Sequence, residues 1–147
     1  MMTQVQDAGE VFVHASDVQL LNEEAVGQVL RWEPTTVLVS GPPLYRDVSS
    51  QEQERAWCLA VRLSQNVETL IIDHHLLRCR EGLSWIQELS AQAPNRVTCA
   101  ADFMGRPRRL LEAQRARLYE EQPVPEHWHD NYRKGLADTA AFGGRPA

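Results

Sequence analysis

The sequence has no long hydrophobic run. Nothing in it approaches the roughly 20 apolar residues that span a bilayer as a helix, which argues against a membrane-embedded chain. Met1-Met2-Thr3-Gln4 leads to Asp7 and Glu10 with neither a basic segment nor an apolar core. Those are the two parts of a secretory signal, so the cytoplasm is the expected compartment. Cysteine is scarce: Cys58, Cys79 and Cys99 are an odd number with no CxxC spacing. That excludes a disulfide framework and a zinc knuckle, and it fits reduced thiols. Basic charge is in deficit, with 15 Lys and Arg against 20 Asp and Glu, a net charge of −5. An acidic chain is a poor non-specific nucleic-acid binder. The patterns HxHxDH, DxD and HExxH are all missing, so the chain carries no complete metal-hydrolase signature.

What is present is ordinary for a globular protein: 147 residues, 43% hydrophobic and 24% charged. That is enough for one core. A single domain is expected over residues 1–134, followed by a flexible tail over 135–147. The charge is uneven. Nine acids stand against Arg31 and Arg46 up to Glu54, whereas five arginines between Arg106 and Arg117 face Glu112 alone. A solvated helix face accounts for these arginines more simply than a phosphate site.

The chain alternates between strand-like and helix-like segments. Glu10 to Ser16 is a β-branched and aromatic run and reads as a strand. Glu23 to Trp32 has Val26, Val29 and Leu30 at helical spacing, with Asn22 as N-cap and Pro34 as stop. Thr35 to Val39 is a second strand, closed by Ser40-Gly41-Pro42-Pro43. Ser49 or Ser50 caps a long helix running through Leu63, and Glu52 completes a capping box with Ser49. Glu68 to Ile72 is a third strand, Glu81 to Ala91 a helix, and Arg96 to Ala100 a fourth strand. Helices follow over 108–121 and, more weakly, 126–136. The pattern is βαβαβαβα, which predicts an α/β fold with a mainly parallel sheet.

In such sheets ligands bind beyond the C-terminal ends of the strands. That rule points to Asp17, to Ser40 through Pro43, to Asp73-His74-His75 and to Asp102. Asp17 is either a carboxylate ligand for a divalent cation or a turn residue. Asp73-His74-His75 is more specific, because an acid and two imidazoles rarely end a buried strand; one histidine would ligate while Asp73 orients it. Asp102 reads as structural or as supporting a ligand. Ser40 to Pro43 forms a tight turn or a backbone cradle beside a substrate. His14 reads as a core or sheet-face histidine, and His127 and His129 as surface residues. No base adjoins a cysteine, so no thiol nucleophile is indicated. The set is too small for a two-metal site, so the chain supplies only part of one.

The segments Phe12 to Gln19, Ser40 to Tyr45 and Leu70 to Arg78 resemble the second half of a metallo-β-lactamase-fold protein, in an uncharacterised group of metal-dependent hydrolases. Thr98 to Gly105 and Leu111 to Tyr119 resemble its closing segments. The resemblance implies one αβ half of a four-layer αβ/βα sandwich. It implies that Asp17 bridges metals and that His74 or His75, with His74 preferred, is the last histidine ligand. Asp73, Pro42, Pro43, Tyr45, Arg78 and Asp102 would support the ligands or line the pocket. The implied cofactor is a divalent metal, zinc first and manganese or iron otherwise, which this chain alone need not retain. The HxHxDH half is absent, so activity would require completion by a second polypeptide or a second copy, and the substrate would be a small molecule or a phosphoester. A non-catalytic α/β interaction domain with relic ligands is the alternative. Ile71 to His75 also resembles the signature of DHH phosphoesterases, without that family's alternating aspartates.

Overall fold

The computed structural model describes residues 2–136. Most of the expected tail, from residue 137 on, lies outside the described residues. The first segment is a strand that the sequence does not announce, β1 (Thr3–Asp7), which pairs antiparallel with β2 (Glu10–Ala15). Ala8 and Gly9 both have positive φ, 47° and 92°, the geometry of a tight two-residue hairpin. After β2 the strands and helices alternate as expected: α1 (Glu23–Arg31), β3 (Thr36–Val39), α2 (Ser50–Asn66), β4 (Thr69–Ile72), α3 (Glu81–Gln92) and β5 (Arg96–Thr98). The pairs β2–β3, β3–β4 and β4–β5 are all parallel. The fold is α/β, with a mixed, mostly parallel five-stranded sheet in the order β1-β2-β3-β4-β5.

The caps explain where the helices start. The Asn22 side chain accepts the Ala25 N–H, and Ser49 and Glu52 form a reciprocal capping box. The fourth strand is shorter than its sequence pattern, because Ala100–Phe103 turns into a single helical turn, α4. The arginine-rich helix expected over 108–121 is reduced to a 3-10 turn, Glu112–Gln114, and α5 (Arg115–Glu121). The last helix, α6, spans Trp128–Arg133. The chain groups into two compact units, one up to Ala113 and one from Gln114. The sheet and every candidate ligand belong to the first.

Strand order matches chain order, so each right-handed crossover advances the sheet in the same direction and leaves its helix on the same face. Register partners on that face are the buried ones: Val13 with Val37, Ala15 with Val39, Leu70 with Val37 and Ile72 with Val39. They meet Val26, Val29, Ala56, Leu63 and Leu89 of the helices in one core. Trp57 of α2 and Trp85 of α3 make an edge-to-face contact at 5.1 Å in the helical layer. The opposite face carries Phe12, His14 and Leu38. Phe12 is 37% exposed, and Val5 beside it is 54% exposed. On the β4 side this face is closed: Ile71 is buried, and the Arg96 guanidinium lies 5.2 Å from the Phe103 ring centre.

Candidate functional site

The C-terminal ends of β2, β3 and β4 are stitched together by backbone bonds. Ser40 N–H donates to Val18 (3.2 Å), Asp73 N–H to Val39 (3.0 Å) and Leu76 N–H to Ser40 (3.0 Å). Gly41 makes this closure possible. Its φ is +70°, and a Cβ there would lie 2.6 Å from Ile72 Cγ2 and 2.8 Å from Leu76 Cβ. Only a glycine lets the β3 turn pass this close to the loop after β4.

The loop after β4 is held by Asp73. One carboxylate oxygen accepts the His74 N–H (2.7 Å) and the other accepts the Ala100 N–H (2.9 Å). Asp73 therefore clamps two backbone segments, and the structure gives it no bond to an imidazole. His74 is held at φ +59°, a conformation that costs a non-glycine residue energy and that recurs at functional sites.

Asp17, His74 and His75 converge. Each offers a ligand atom, and these atoms all lie within 4.8 Å of one another. Asp17 Oδ1 is 3.8 Å from His75 Nε2. Two ligand atoms each about 2.1 Å from a shared ion stand up to about 4.2 Å apart, so this pair fits a shared cation as it stands. The widest separation would have to close by roughly half an ångström. One carboxylate and two imidazoles suit a borderline cation such as zinc.

The His75 ring is 12% exposed and is fixed from behind. Its Nδ1 lies 3.1 Å from the Tyr45 hydroxyl, and the two rings stack with centres 6.3 Å apart. Arg78 donates to the Tyr45 oxygen (3.2 Å) and to His74 Nε2 (3.3 Å). The guanidinium only donates, so the Tyr45 hydroxyl hydrogen is left for His75 Nδ1. The Nε2–H of a neutral His75 then faces Asp17. Burial, and then the proximity of His74 and Arg78, hold the His75 pKa below its ordinary value, against the pull of Asp17.

Tyr45 and Arg78 thus stand beside the ligand cluster. Pro42 and Pro43 are buried and shape the turn from within. Asp102 is elsewhere, near Ile86 and Val97, gripped by Arg108 through bonds of 2.6 and 2.8 Å. The Arg108 guanidinium holds its carboxyl below the usual range. Burial pushes the Cys79 thiol up and keeps it protonated. The sequence reading set aside His14 and treated Ser40 as part of a turn. The structure lines a cavity of about 310 Å³ with both, together with Ser16, Asp17, Leu38 and His74. The strand register that pairs His14 with Leu38 is what unites them.

Comparison with known proteins gives a consistent answer. A protein of Methanosarcina mazei is 52% identical, over 97% of this chain and 47% of its own length. A second, from Methanopyrus kandleri, is 38% identical over 76% of this chain and 39% of its own. A third, from Pyrococcus furiosus, is 30% identical over 82% and 38%. The chain is similar to UPF0282 proteins. It spans about half the length of these relatives or less. No protein-family model matches the chain, and no solved structure matches it. The expected metallo-β-lactamase resemblance is overturned: the relatives carry the UPF0282 name alone, and nothing in the comparisons connects the chain to that fold family. The short segments behind the resemblance, such as an apolar strand ended by Asp and His, suit the strand ends of many parallel α/β sheets.

Proposed function

We propose that Asp17, His75 and His74 hold a divalent cation, zinc first, as part of a hydrolytic site acting on a small ester or phosphoester. The observation that carries this reading is the convergence of one carboxylate and two imidazoles from two strand ends. His75 is the better placed imidazole, which reverses the preference taken from sequence. Ligation through Nε2 needs the ring proton on Nδ1, where the Tyr45 oxygen can accept it. His74 must first give up the hydrogen bond from Arg78. A cation bound here lowers the pKa of a coordinated water and polarises the oxygen of a bound ester or phosphate. Asp17 and the two rings leave a coordination sphere unfilled. A second polypeptide or a second copy of this chain completes it. The relatives extend well beyond the matched region, which supports completion from additional sequence. The unpaired thiols suit a reducing cytoplasm.

The test is zinc titration by calorimetry, with metal content measured on the same samples. Wild type is expected to bind one zinc, and Asp17→Ala and His75→Ala each to weaken it about 100-fold. Undiminished binding in both variants would overturn the assignment.

A further inference from the structure

We propose that Arg78 is a latch on the ligand cluster: its guanidinium holds both imidazoles in proton states that cannot ligate, and a divalent cation must displace it to bind. This deepens the cation reading above and rests on it for the cation, but not for the proton states. Arg78 closes a short 3-10 turn, Leu76–Arg78, and lies four residues after His74. Its guanidinium donates to His74 Nε2 (3.3 Å). A neutral imidazole has one nitrogen with a lone pair and one that carries the proton. Because Nε2 accepts from Arg78, the His74 proton is on Nδ1. Neither nitrogen is then open to a cation, since the lone pair of one is taken and the other is protonated. The same guanidinium donates to the Tyr45 oxygen (3.2 Å), which leaves the hydroxyl hydrogen for His75 Nδ1, 3.1 Å away. That places the His75 proton on Nε2, the nitrogen that faces Asp17. One side chain thus sets both rings against ligation.

The latch is weakly held. Among the described residues Arg78 makes no ion pair. Both its hydrogen-bond acceptors, a tyrosine oxygen and an imidazole nitrogen, are uncharged. Its bonds of 3.2 and 3.3 Å are long, against about 2.7–2.9 Å for a guanidinium on a carboxylate. Arg108 shows the contrast, gripping Asp102 at 2.6 and 2.8 Å. The turn that carries Arg78 is anchored by the buried Leu76 and Leu77, so the side chain can swing out while the backbone stays in place. A divalent cation seated at Asp17 and His75 takes the His74 lone pair and repels the guanidinium at the same time.

The experiment compares zinc binding by calorimetry in the full wild-type chain and in Arg78→Met, which keeps a long side chain without the charge or the donors. Arg78→Met is expected to bind zinc about tenfold tighter than wild type, the worth of one hydrogen bond that the cation no longer has to break. A residue that merely buttressed the site would move the affinity the other way. Long-range nitrogen NMR of the histidine rings reads the proton states in wild type at about pH 8, where imidazoles are neutral, and needs no variant to fold. It is expected to find His74 protonated on Nδ1 and His75 on Nε2 in the metal-free chain, with zinc moving the His75 proton to Nδ1. Equal or weaker zinc binding in folded Arg78→Met would overturn the latch and leave the cation reading standing. A metal-free His74 protonated on Nε2 would do the same. Absence of zinc binding in both proteins would overturn the cation reading, and the latch with it.

Discussion

Gly41 is the residue on which the site geometry most depends. Its missing side chain lets Leu76 and Ile72 approach the β3 turn, and that approach carries the His74-His75 loop toward Asp17. Gly41→Ala combines a forced contact with a left-handed backbone. It is expected to cost about 2–4 kcal/mol in urea unfolding, with weaker zinc binding in whatever fraction still folds. His75 gives a pH signature. Its folded pKa lies below the unfolded value of about 6.5, so the unfolded chain takes up the proton more readily. Its contribution is complete above that value and is lost as pH falls below it, toward the folded pKa. Urea midpoints measured between pH 7.5 and 5 should fall with pH, and His75→Gln should flatten that part of the profile. The ligand residues were legible in the sequence because an acid or an imidazole at a strand end is a local pattern. The place of Ser40 was not: it is set by backbone bonds across 22 and 36 residues that take up its amide and its carbonyl.

Among the elements, β2 through α3 were readable because each has its own signal: caps at Asn22 and Ser49, and apolar spacing in α1 and α2. β1 was hidden because Thr3-Gln4-Val5-Gln6-Asp7 is exposed throughout and has no apolar face to betray its period. α4 was hidden because a single turn is too short for periodicity, and its start depends on Asp73, far away in sequence. Neighbouring positions on β2 test which face is the core. Val13 is fully buried and Phe12 is 37% exposed. Val13→Ala is expected to cost roughly 1.5–3 kcal/mol. Phe12→Ala should cost less, although phenylalanine is the larger side chain. Urea unfolding of both variants gives the comparison, and the reverse ranking would place the core on the wrong face.

For the sheet as a whole, stability should grade from its edges to its middle. β1 is an exposed edge strand, whereas β3 and β4 are paired on both sides and largely buried. Native-state hydrogen exchange should find the slowest amides in β3 and β4 and the fastest sheet amides in β1. Slow exchange throughout β1 would show that this edge is covered.

The sequential strand order also bears on how the sheet is made. A ribosome delivers β1 first and β5 last, and every strand after β1 joins one that has already emerged. No strand must be inserted between two earlier ones, and β1 alone waits for its first partner, which follows within a two-residue turn. Synthesis and assembly can therefore proceed in step, and the growing edge exposed to misassociation at any moment is a single strand wide. The strands whose ends carry Asp17, Ser40 and His75 are β2, β3 and β4. The site would then take shape as the third of them docks, before the last strand of the sheet has been translated.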